Sequence, residues 1–174
     1  MPLPYRLFII SVVLILFSCS SSKEEGVGSE VGMIAPELSG ILPNGEKFNL
    51  KDLRGELVVL DFWGTWCGPC LREAPDLVKL QNDLSQHLQV VSIALEKTDD
   101  GRSEAVAERL GFTWSYRLTE KIAFVRLSKI AGAYGVSDLP SSFLIDENGV
   151  ILLARSSVKE IRSYMLDLEK STSK

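Results

Sequence analysis

The sequence predicts an α/β domain, in which helices flank a central sheet, and three observations lead to that fold class. Apolar runs of strand length alternate along the chain with stretches of helical periodicity. One such run, Val58–Phe62, leads into a short turn that carries two cysteines at Cys-x-x-Cys spacing. A length of 174 residues, of which 45% are hydrophobic, is sufficient for one domain with a substantial core.

The composition limits the classes of function. The formal net charge of −4 is mild and gives no reason to expect a nucleic-acid partner. The 3 cysteines are too few for a scaffold held together by disulfides. Charged residues, at 24%, are typical of an ordinary globular protein. The function is therefore expected to depend on individual motifs.

The N-terminus is typical of a targeting segment. Leu7–Phe17 is almost entirely apolar and would span roughly 17 Å as a helix, well short of the ~30 Å hydrocarbon core of a bilayer. It therefore predicts a signal peptide over 1–18 and not a permanent span. Leu16–Cys19 is similar to a bacterial lipobox, so we expect lipidation of Cys19. An ordinary secreted precursor and an uncleaved anchor are the alternatives.

A polar tether over 19–32 is expected to join this segment to the domain, which we place at 33–174. The domain opens with two short predicted strands, Leu38–Leu42 and Lys47–Leu50. They are separated by Pro-Asn-Gly, which favours a hairpin turn.

The central strand is predicted at Leu57–Phe62, and a helix follows at Pro69–Ser85. Pro69 fits the first helical turn, where a missing N–H costs nothing. The next strand is predicted at 87–95. The residues expected on the buried side of the helix are Ala74, Leu77, Val78 and Leu84.

A polar segment, Glu96–Arg102, is interpreted as a solvated loop. A helix is predicted over Ser103–Leu110, with Ser103 as its N-cap and Gly111 as its stop. Phe112–Thr119 is predicted to be a short extended connection.

The last part of the chain is predicted to contain a helix, a hairpin and a terminal helix. The first helix is placed around Leu127–Tyr134. Ser142–Asp146 and Val150–Leu153 form the hairpin about an Asn-Gly turn. The terminal helix is indicated by apolar residues at helical spacing, which are Val158, Ile161, Met165 and Leu168.

The two closely spaced cysteines are the candidate reactive groups. Cys67 would lie at or just before the first turn of the predicted helix, where free N–H groups and the helix dipole favour a negative charge. Its thiol should therefore ionise more readily than a free thiol. Cys70 lies one turn further on, close enough to form a disulfide with Cys67, and such a pair is a two-electron redox device.

Two structural alternatives to a redox pair stay open, an inert disulfide and half of a zinc site. Zinc usually needs four ligands. The chain offers one Cys-x-x-Cys pair, a single histidine and Cys19. We therefore expect no metal and no cofactor beyond a redox-active disulfide.

Trp66–Cys70 reads Trp-Cys-Gly-Pro-Cys and resembles the active-site motif of thioredoxin. Asp61 lies where thioredoxin has its buried acid, and Leu139–Pro140 is similar to its cis-proline loop. Trp63–Cys67 and Glu73 are more similar to one branch, the TlpA/ResA-like envelope thiol-disulfide oxidoreductases.

This resemblance covers roughly Met33–Leu168. It implies a thioredoxin fold, with a central mixed sheet flanked by helices, an N-terminal β-hairpin and a central TlpA-type insertion. The predicted helix Ser103–Leu110 would be part of that insertion.

The resemblance also implies chemical roles. Cys67 would attack a substrate disulfide, and Cys70 would then attack the mixed disulfide and release reduced substrate. Asp61 would take the proton from Cys70, since burial raises the pKa of a carboxyl towards neutral. Glu73 would tune the cysteines. The alternatives are a hydrogen-bonding acid at a strand end for Asp61 and an ordinary helix-face acid for Glu73.

The predicted substrate contacts are Trp66, Gly68, Pro69, Leu139 and Pro140. Trp66 would form a flat apolar wall beside Cys67, whereas Trp63 is assigned to the core. In the family, the residue before the cis-proline lends its backbone to the incoming chain, a role that falls to Leu139 here. His87 is assigned to the surface.

The resulting prediction is an envelope protein-disulfide reductase that is tethered to the membrane by lipid. A Gly-Pro dipeptide between the cysteines favours the reducing direction, since the potential of thioredoxin is ~ −270 mV and that of DsbA ~ −120 mV. The family suggests disulfide-containing envelope proteins as partners, including apo-cytochrome c and other oxidoreductases. It also suggests a membrane thiol carrier as electron donor.

The alternative function is a non-enzymatic metal or apo-cytochrome chaperone on the same scaffold. A peroxidase is excluded because the chain lacks a Pro-x-x-x-Thr-x-x-Cys motif. Thr65 lies only two residues before Cys67.

Overall fold

The computed structural model describes residues 26–84, 88–98 and 100–172. The predicted signal peptide, Cys19 and His87 lie outside the described residues. Contacts with the domain already occur at Gly26, the first described residue, before the boundary expected at Met33: Ile34 donates a backbone hydrogen bond to Gly26, and Gly32 donates one to Ile151.

A small hairpin opens the domain, as predicted. Strands β1 (Ser39–Ile41) and β2 (Lys47–Asn49) pair in antiparallel register. A 3₁₀-helix, Leu50–Leu53, follows, and the side chain of Asn49 accepts a hydrogen bond from the N–H of Lys51 at its start.

Within the described residues, five strands form the main sheet, in the order β5-β4-β3-β6-β7. They are β3 (Leu57–Trp63), β4 (Leu88–Glu96), β5 (Tyr116–Lys121), β6 (Ser141–Ile145) and β7 (Ile151–Ser156). Strands β3, β4 and β5 are parallel, β6 is antiparallel to β3, and β7 is antiparallel to β6. The predicted central mixed sheet is therefore confirmed.

The α-helices in this part of the chain are α1 (Gly68–Leu84), α2 (Arg102–Leu110), α3 (Lys129–Ala133) and α4 (Val158–Thr172). Helices α1 and α4 pack on one face of the sheet with Val59 and Trp63, whereas Leu60 and Phe62 belong to the core on the other face. Because side chains alternate along a strand, Asp61 lies on the face that carries α1.

Of two predictions for the segment after β4, the extended backbone is confirmed in part but its pairing as a strand was missed, and the N-cap is wrong. The predicted extended connection Phe112–Thr119 ends in an edge strand, β5, whose apolar pattern is weak because Leu118 is its one buried residue. Ser103 does not cap α2; Gly101 precedes the helix with φ 75°, and the hydroxyl of Ser103 hydrogen bonds to Thr119 at 2.8 Å. Gly111 ends the helix with φ 83°, as predicted.

The buried faces and the bounds of the helices agree in part with those predicted from the sequence. In α1, Ala74 and Leu77 are buried as predicted, but Val78 and Leu84 are half-buried and Leu80 is fully buried instead. The helix expected around residues 127–134 is shorter, with a 3₁₀-turn at Val125–Leu127 before α3. In α4 the predicted face is buried except for Leu168, which is 40% exposed.

Candidate active site

Cys67 lies directly before α1 and begins its hydrogen-bond ladder. Its carbonyl accepts a hydrogen bond of 3.1 Å from the N–H of Leu71, and its own N–H donates to Gly64 at 3.0 Å. The N–H of Cys70 points at the sulfur of Cys67, at 3.2 Å. The sulfur is thus held at the positive end of the helix, as the spacing predicts.

Cys67 and Cys70 form a disulfide, with their Cα atoms 5.3 Å apart. Both residues are largely covered, with 4% of Cys67 and 5% of Cys70 exposed. A partner can therefore reach the sulfurs only by docking against the loops around them.

Asp61 is a buried acid on β3, with 4% of its surface exposed. Its pKa is raised from 3.8 to about 7: burial raises it most, a hydrogen bond from Ser142 lowers it, and the charge of Glu73 raises it. A pKa near neutral allows this carboxyl to accept and return a proton under physiological conditions.

A small cavity connects the acid to the disulfide. Asp61, Cys70, Glu73 and Pro140 all line it, and its volume is about 10 Å³. That volume corresponds to roughly one water molecule. The geometry therefore brings Asp61 and Cys70 to one shared space next to the cis-proline.

Glu73 joins α1 to the beginning of α4. Its Oε1 accepts a hydrogen bond of 2.7 Å from the N–H of Val158, the first residue of α4. Glu73 is half-buried and lines the same cavity as Cys70, so it lies on the side predicted for it. The carboxylate thus stabilises a helix N-terminus and acts on Asp61 through its charge.

The proline loop and Trp66 complete the surroundings of the cysteines. The Leu139–Pro140 peptide bond is cis, as the resemblance implies, and Leu139 packs against both cores. The indole N–H of Trp66 donates to the carbonyl of Leu95 at 2.8 Å, while 49% of the side chain stays exposed. Trp63 is buried, as assigned.

Glu96 is a site residue that the sequence interpretation missed. The sequence pattern favours a solvated loop, but Glu96 is 4% exposed and accepts hydrogen bonds from the N–H of Thr65 at 2.6 Å and from its hydroxyl at 2.9 Å. Its position at the carboxyl end of a buried parallel strand, next to the end of β3, is the signal that could have found it.

Ser142 was also missed as a site residue. It is fully buried and pairs directly opposite Asp61, to which its hydroxyl donates a hydrogen bond of 2.8 Å. Two serines at the start of an otherwise apolar strand, directly after the proline loop, could have indicated this role.

The part of the chain that the structure describes shows neither a cluster of metal ligands nor a membrane-spanning helix. In residues 26–84, 88–98 and 100–172, no group of three or more His, Cys, Asp or Glu side chains could hold a metal ion. Among the same residues, no helix is long and apolar enough to cross a membrane.

Comparison with known proteins gives a consistent result. Residues 31–154 match the model of the AhpC/TSA family. The chain is 35% identical over 156 residues to the thioredoxin-like protein YneN of Bacillus subtilis, a match that covers 88% of each chain. It is 32% identical over 140 residues to the thiol-disulfide oxidoreductase ResA of Bacillus anthracis, covering 78% of this chain and 77% of that protein.

Solved structures show the same fold. The thioredoxin domain of a thiol-disulfide oxidoreductase from Bacteroides vulgatus superposes with a TM-score of 0.67 at 20% identity, covering 78% of this chain and 97% of that one. A thiol-disulfide oxidoreductase from Bacteroides fragilis gives a TM-score of 0.66 at 21% identity, covering 77% and 98%. The thioredoxin fold expected from the sequence is therefore confirmed.

Proposed function

Because the chain belongs to the AhpC/TSA family, on its branch of ResA-like thiol-disulfide oxidoreductases, we propose that it acts as a reductase of protein disulfides. Thiol-disulfide exchange is the activity shared with its named relatives. The reducing direction, the substrates and the location are the further steps of the proposal.

One observation carries the proposed mechanism. A disulfide lies at the positive end of α1, and its second sulfur shares a cavity of about 10 Å³ with a buried acid whose pKa is about 7. Once this disulfide is reduced, Cys67 is stabilised as a thiolate and Cys70 has a proton acceptor beside it, which are the two requirements of a complete exchange cycle.

The reaction begins with the reduced pair. The Cys67 thiolate attacks one sulfur of a substrate disulfide, forms a mixed disulfide and expels the other substrate sulfur as a thiolate. Cys70 then loses its proton to Asp61 and attacks the sulfur of Cys67. This step releases the second substrate sulfur and leaves the Cys67–Cys70 disulfide, so two electrons have passed to the substrate.

The dithiol must then be regenerated by a thiol donor. The proposed donor is a membrane thiol carrier, and the proposed substrates are disulfides of envelope proteins, with apo-cytochrome c among them. Trp66, Gly68, Pro69, Leu139 and Pro140 are the proposed contacts for the substrate chain. These assignments are supported by the family resemblance of the motifs and by the position of the loops around the sulfurs.

The proposed location is the bacterial envelope, with the chain anchored through lipid on Cys19. The support is the N-terminal sequence, in which a short apolar run precedes a lipobox-like cysteine. Labelling of cells with a radioactive fatty acid would test the anchor, since Cys19→Ser should abolish incorporation.

A redox titration tests the proposed direction. In dithiothreitol buffers of graded ratio, we expect the Cys67–Cys70 pair to be half-oxidised below about −200 mV, close to the reducing end of this fold. Cys19→Ser removes the third thiol from the readout. A midpoint near the ~ −120 mV of DsbA would instead assign the protein to oxidation.

A further inference from the structure

An apolar groove lies beside the cysteine loop, and of its lining residues only Trp66 has a role in the proposed exchange chemistry. Trp66, Lys97 and the segment Ile122–Val125 line this groove, which has a volume of about 240 Å³. The lining does not include the proline loop. The groove therefore differs from the cavity that connects Asp61 to Cys70.

The side chains around the groove are unusually exposed for apolar residues. Phe124 is 69% exposed, Leu127 is 68% exposed and Trp66 is 49% exposed. Neighbouring exposed apolar side chains of this size mark interaction sites on soluble proteins. Phe124 and Trp66 are aromatic, and aromatic residues are enriched in the centres of protein interfaces.

Both walls of the groove are fixed by the same end of β4. The indole of Trp66 donates to Leu95, Glu96 holds Thr65, and the N–H of Ile122 donates to the carbonyl of Glu96 at 2.7 Å. The groove is thus preformed, so that a ligand would not have to order its walls.

Three cations lie in the lining of the groove or flank its lining segment in the chain, and we call them the rim. Lys97 lines the groove, and Lys121 and Arg126 lie directly before and after the Ile122–Val125 segment. All three cations are exposed, and none forms an ion pair or side-chain hydrogen bond with any residue that the structure describes. The chain as a whole carries a net charge of −4, so this rim is a local exception. Such a rim favours a partner with acidic residues.

We propose that this groove binds the protein substrate next to its disulfide, by taking up an apolar side chain of a segment that also carries acidic residues. The inference rests on the proposed function, since the substrate sulfur must reach Cys67, the immediate neighbour of Trp66. The groove would then select which disulfides are reduced, while the chemistry stays with the cysteines.

Defined peptide disulfides test this selection. Each probe is a symmetric dimer of a short peptide joined through its single cysteine, with either two leucines or two serines flanking the cysteine and aspartates at the ends. The reduced protein passes two electrons to the dimer and becomes the disulfide, and each dimer yields two peptide thiols. Stopped-flow rates at increasing peptide concentration give the maximal rate and the half-saturating concentration.

For the wild type, we expect roughly tenfold more efficient reduction of the leucine probe than of the serine probe, since one buried apolar side chain has an effect of that order. Phe124→Ser should remove most of this preference by raising the half-saturating concentration, with the maximal rate unchanged. Phe124→Leu should keep it. Ile41→Ser, at an exposed apolar position of the hairpin (59% exposed), is the matched control and should behave as wild type.

The charge of the rim is tested with the same peptides. Replacing the terminal aspartates by lysines should slow reduction several-fold, and Lys97→Glu together with Arg126→Glu should reverse that order. Equal reduction of all probes by the wild type would overturn the groove proposal and leave the reductase function intact. Failure to reduce any probe would overturn both.

Discussion

Ser142 donates a hydrogen bond of 2.8 Å to Asp61 from the directly opposite position on the neighbouring strand. Both side chains are buried. Because Ser142 is the second residue of β6 and lies two positions after the cis-proline, this bond connects the proline loop to the acid of the active site. The contact lowers the pKa of Asp61 against the effect of burial, so the proton affinity of the acid depends on a residue outside the cysteine motif.

The step in which Cys70 resolves the mixed disulfide should depend on pH through the ionisation of Asp61. Since the pKa of Asp61 is about 7, the rate at which Cys70 releases substrate from the mixed disulfide should rise with pH and inflect near pH 7. Asp61→Asn should slow this step on the order of 10²-fold at pH 7 and remove the inflection. Rapid-quench analysis of the mixed disulfide with a peptide dimer measures the step. If Asp61→Asn keeps the same inflection, the inflection belongs to the ionisation of another group.

Asp61 should also reduce stability above neutral pH. Its pKa is 3.8 ordinarily and about 7 in the folded protein, so between these values the folded state binds a proton that the unfolded state has lost. The free energy of unfolding therefore falls as the pH rises from about 4 to 7 and stays lowered above that, by at most roughly 4 kcal/mol.

Asp61→Asn removes this penalty. Urea denaturation at pH 8 should show the variant to be more stable than wild type, and the difference should shrink towards pH 4. A stability difference that is the same at both pH values would show that the effect is not ionisation of Asp61.

Removing the hydroxyl of Ser142 should shift the pKa of Asp61. In Ser142→Ala the pKa of Asp61 should rise, because the hydrogen bond that lowers it is lost. The inflection in the rate of resolution should move to higher pH, whereas Ser142→Thr should keep it near wild type. A purely structural role of Ser142 would change stability without moving the inflection.

Substitutions of Glu73 separate its two effects, the hydrogen bond to α4 and the charge that acts on Asp61. Glu73→Gln keeps an oxygen to accept from the N–H of Val158 but removes the charge that raises the pKa of Asp61. The inflection should therefore move to lower pH with little loss of stability. Glu73→Ala should shift it in the same direction and also cost about 1 kcal/mol, since the N-terminus of α4 loses its acceptor. If neither variant moves the inflection, Glu73 is a structural cap alone.

Glu96 should position the cysteine loop. Glu96→Ala removes the charged acceptor of two hydrogen bonds from the half-buried Thr65, so we expect a loss of about 1–3 kcal/mol in stability together with slower reduction of peptide disulfides. Glu96→Gln retains an acceptor and should recover most of both. If Glu96→Ala is destabilised but reduces peptide disulfides at the wild-type rate, Glu96 contributes to folding alone.

The sequence was sufficient for the local motifs and for the fold they imply. The alternation of apolar runs and the Asn-Gly turns predicted the hairpins and the central strands, and the position of Cys67 at a helix start followed from Pro69 and the spacing. These features depend on residues close together in the chain, whose pattern is visible without tertiary contacts.

The missed features depend on contacts between distant residues. Edge strand β5 has little apolar alternation, and its pairing with β4 is a tertiary effect. Glu96 resembles a loop acid until β3 brings Thr65 beside it, 31 positions away in the chain. Ser142 is 81 positions from Asp61 and becomes its partner only through strand register. Phe124 gave no signal, because its exposure is a property of the folded surface.

The most direct test of the central claim is the mass of single-cysteine variants after reaction with a peptide disulfide, both made with Cys19→Ser. In Cys70→Ala, Cys67 should form a mixed disulfide that adds one peptide, and peptide mapping should place it on Cys67. In Cys67→Ala, the adduct should be absent or form far more slowly. An adduct that forms as fast on Cys70 as on Cys67, or on neither, would contradict the account of Cys67 as the nucleophile and Cys70 as the resolving thiol.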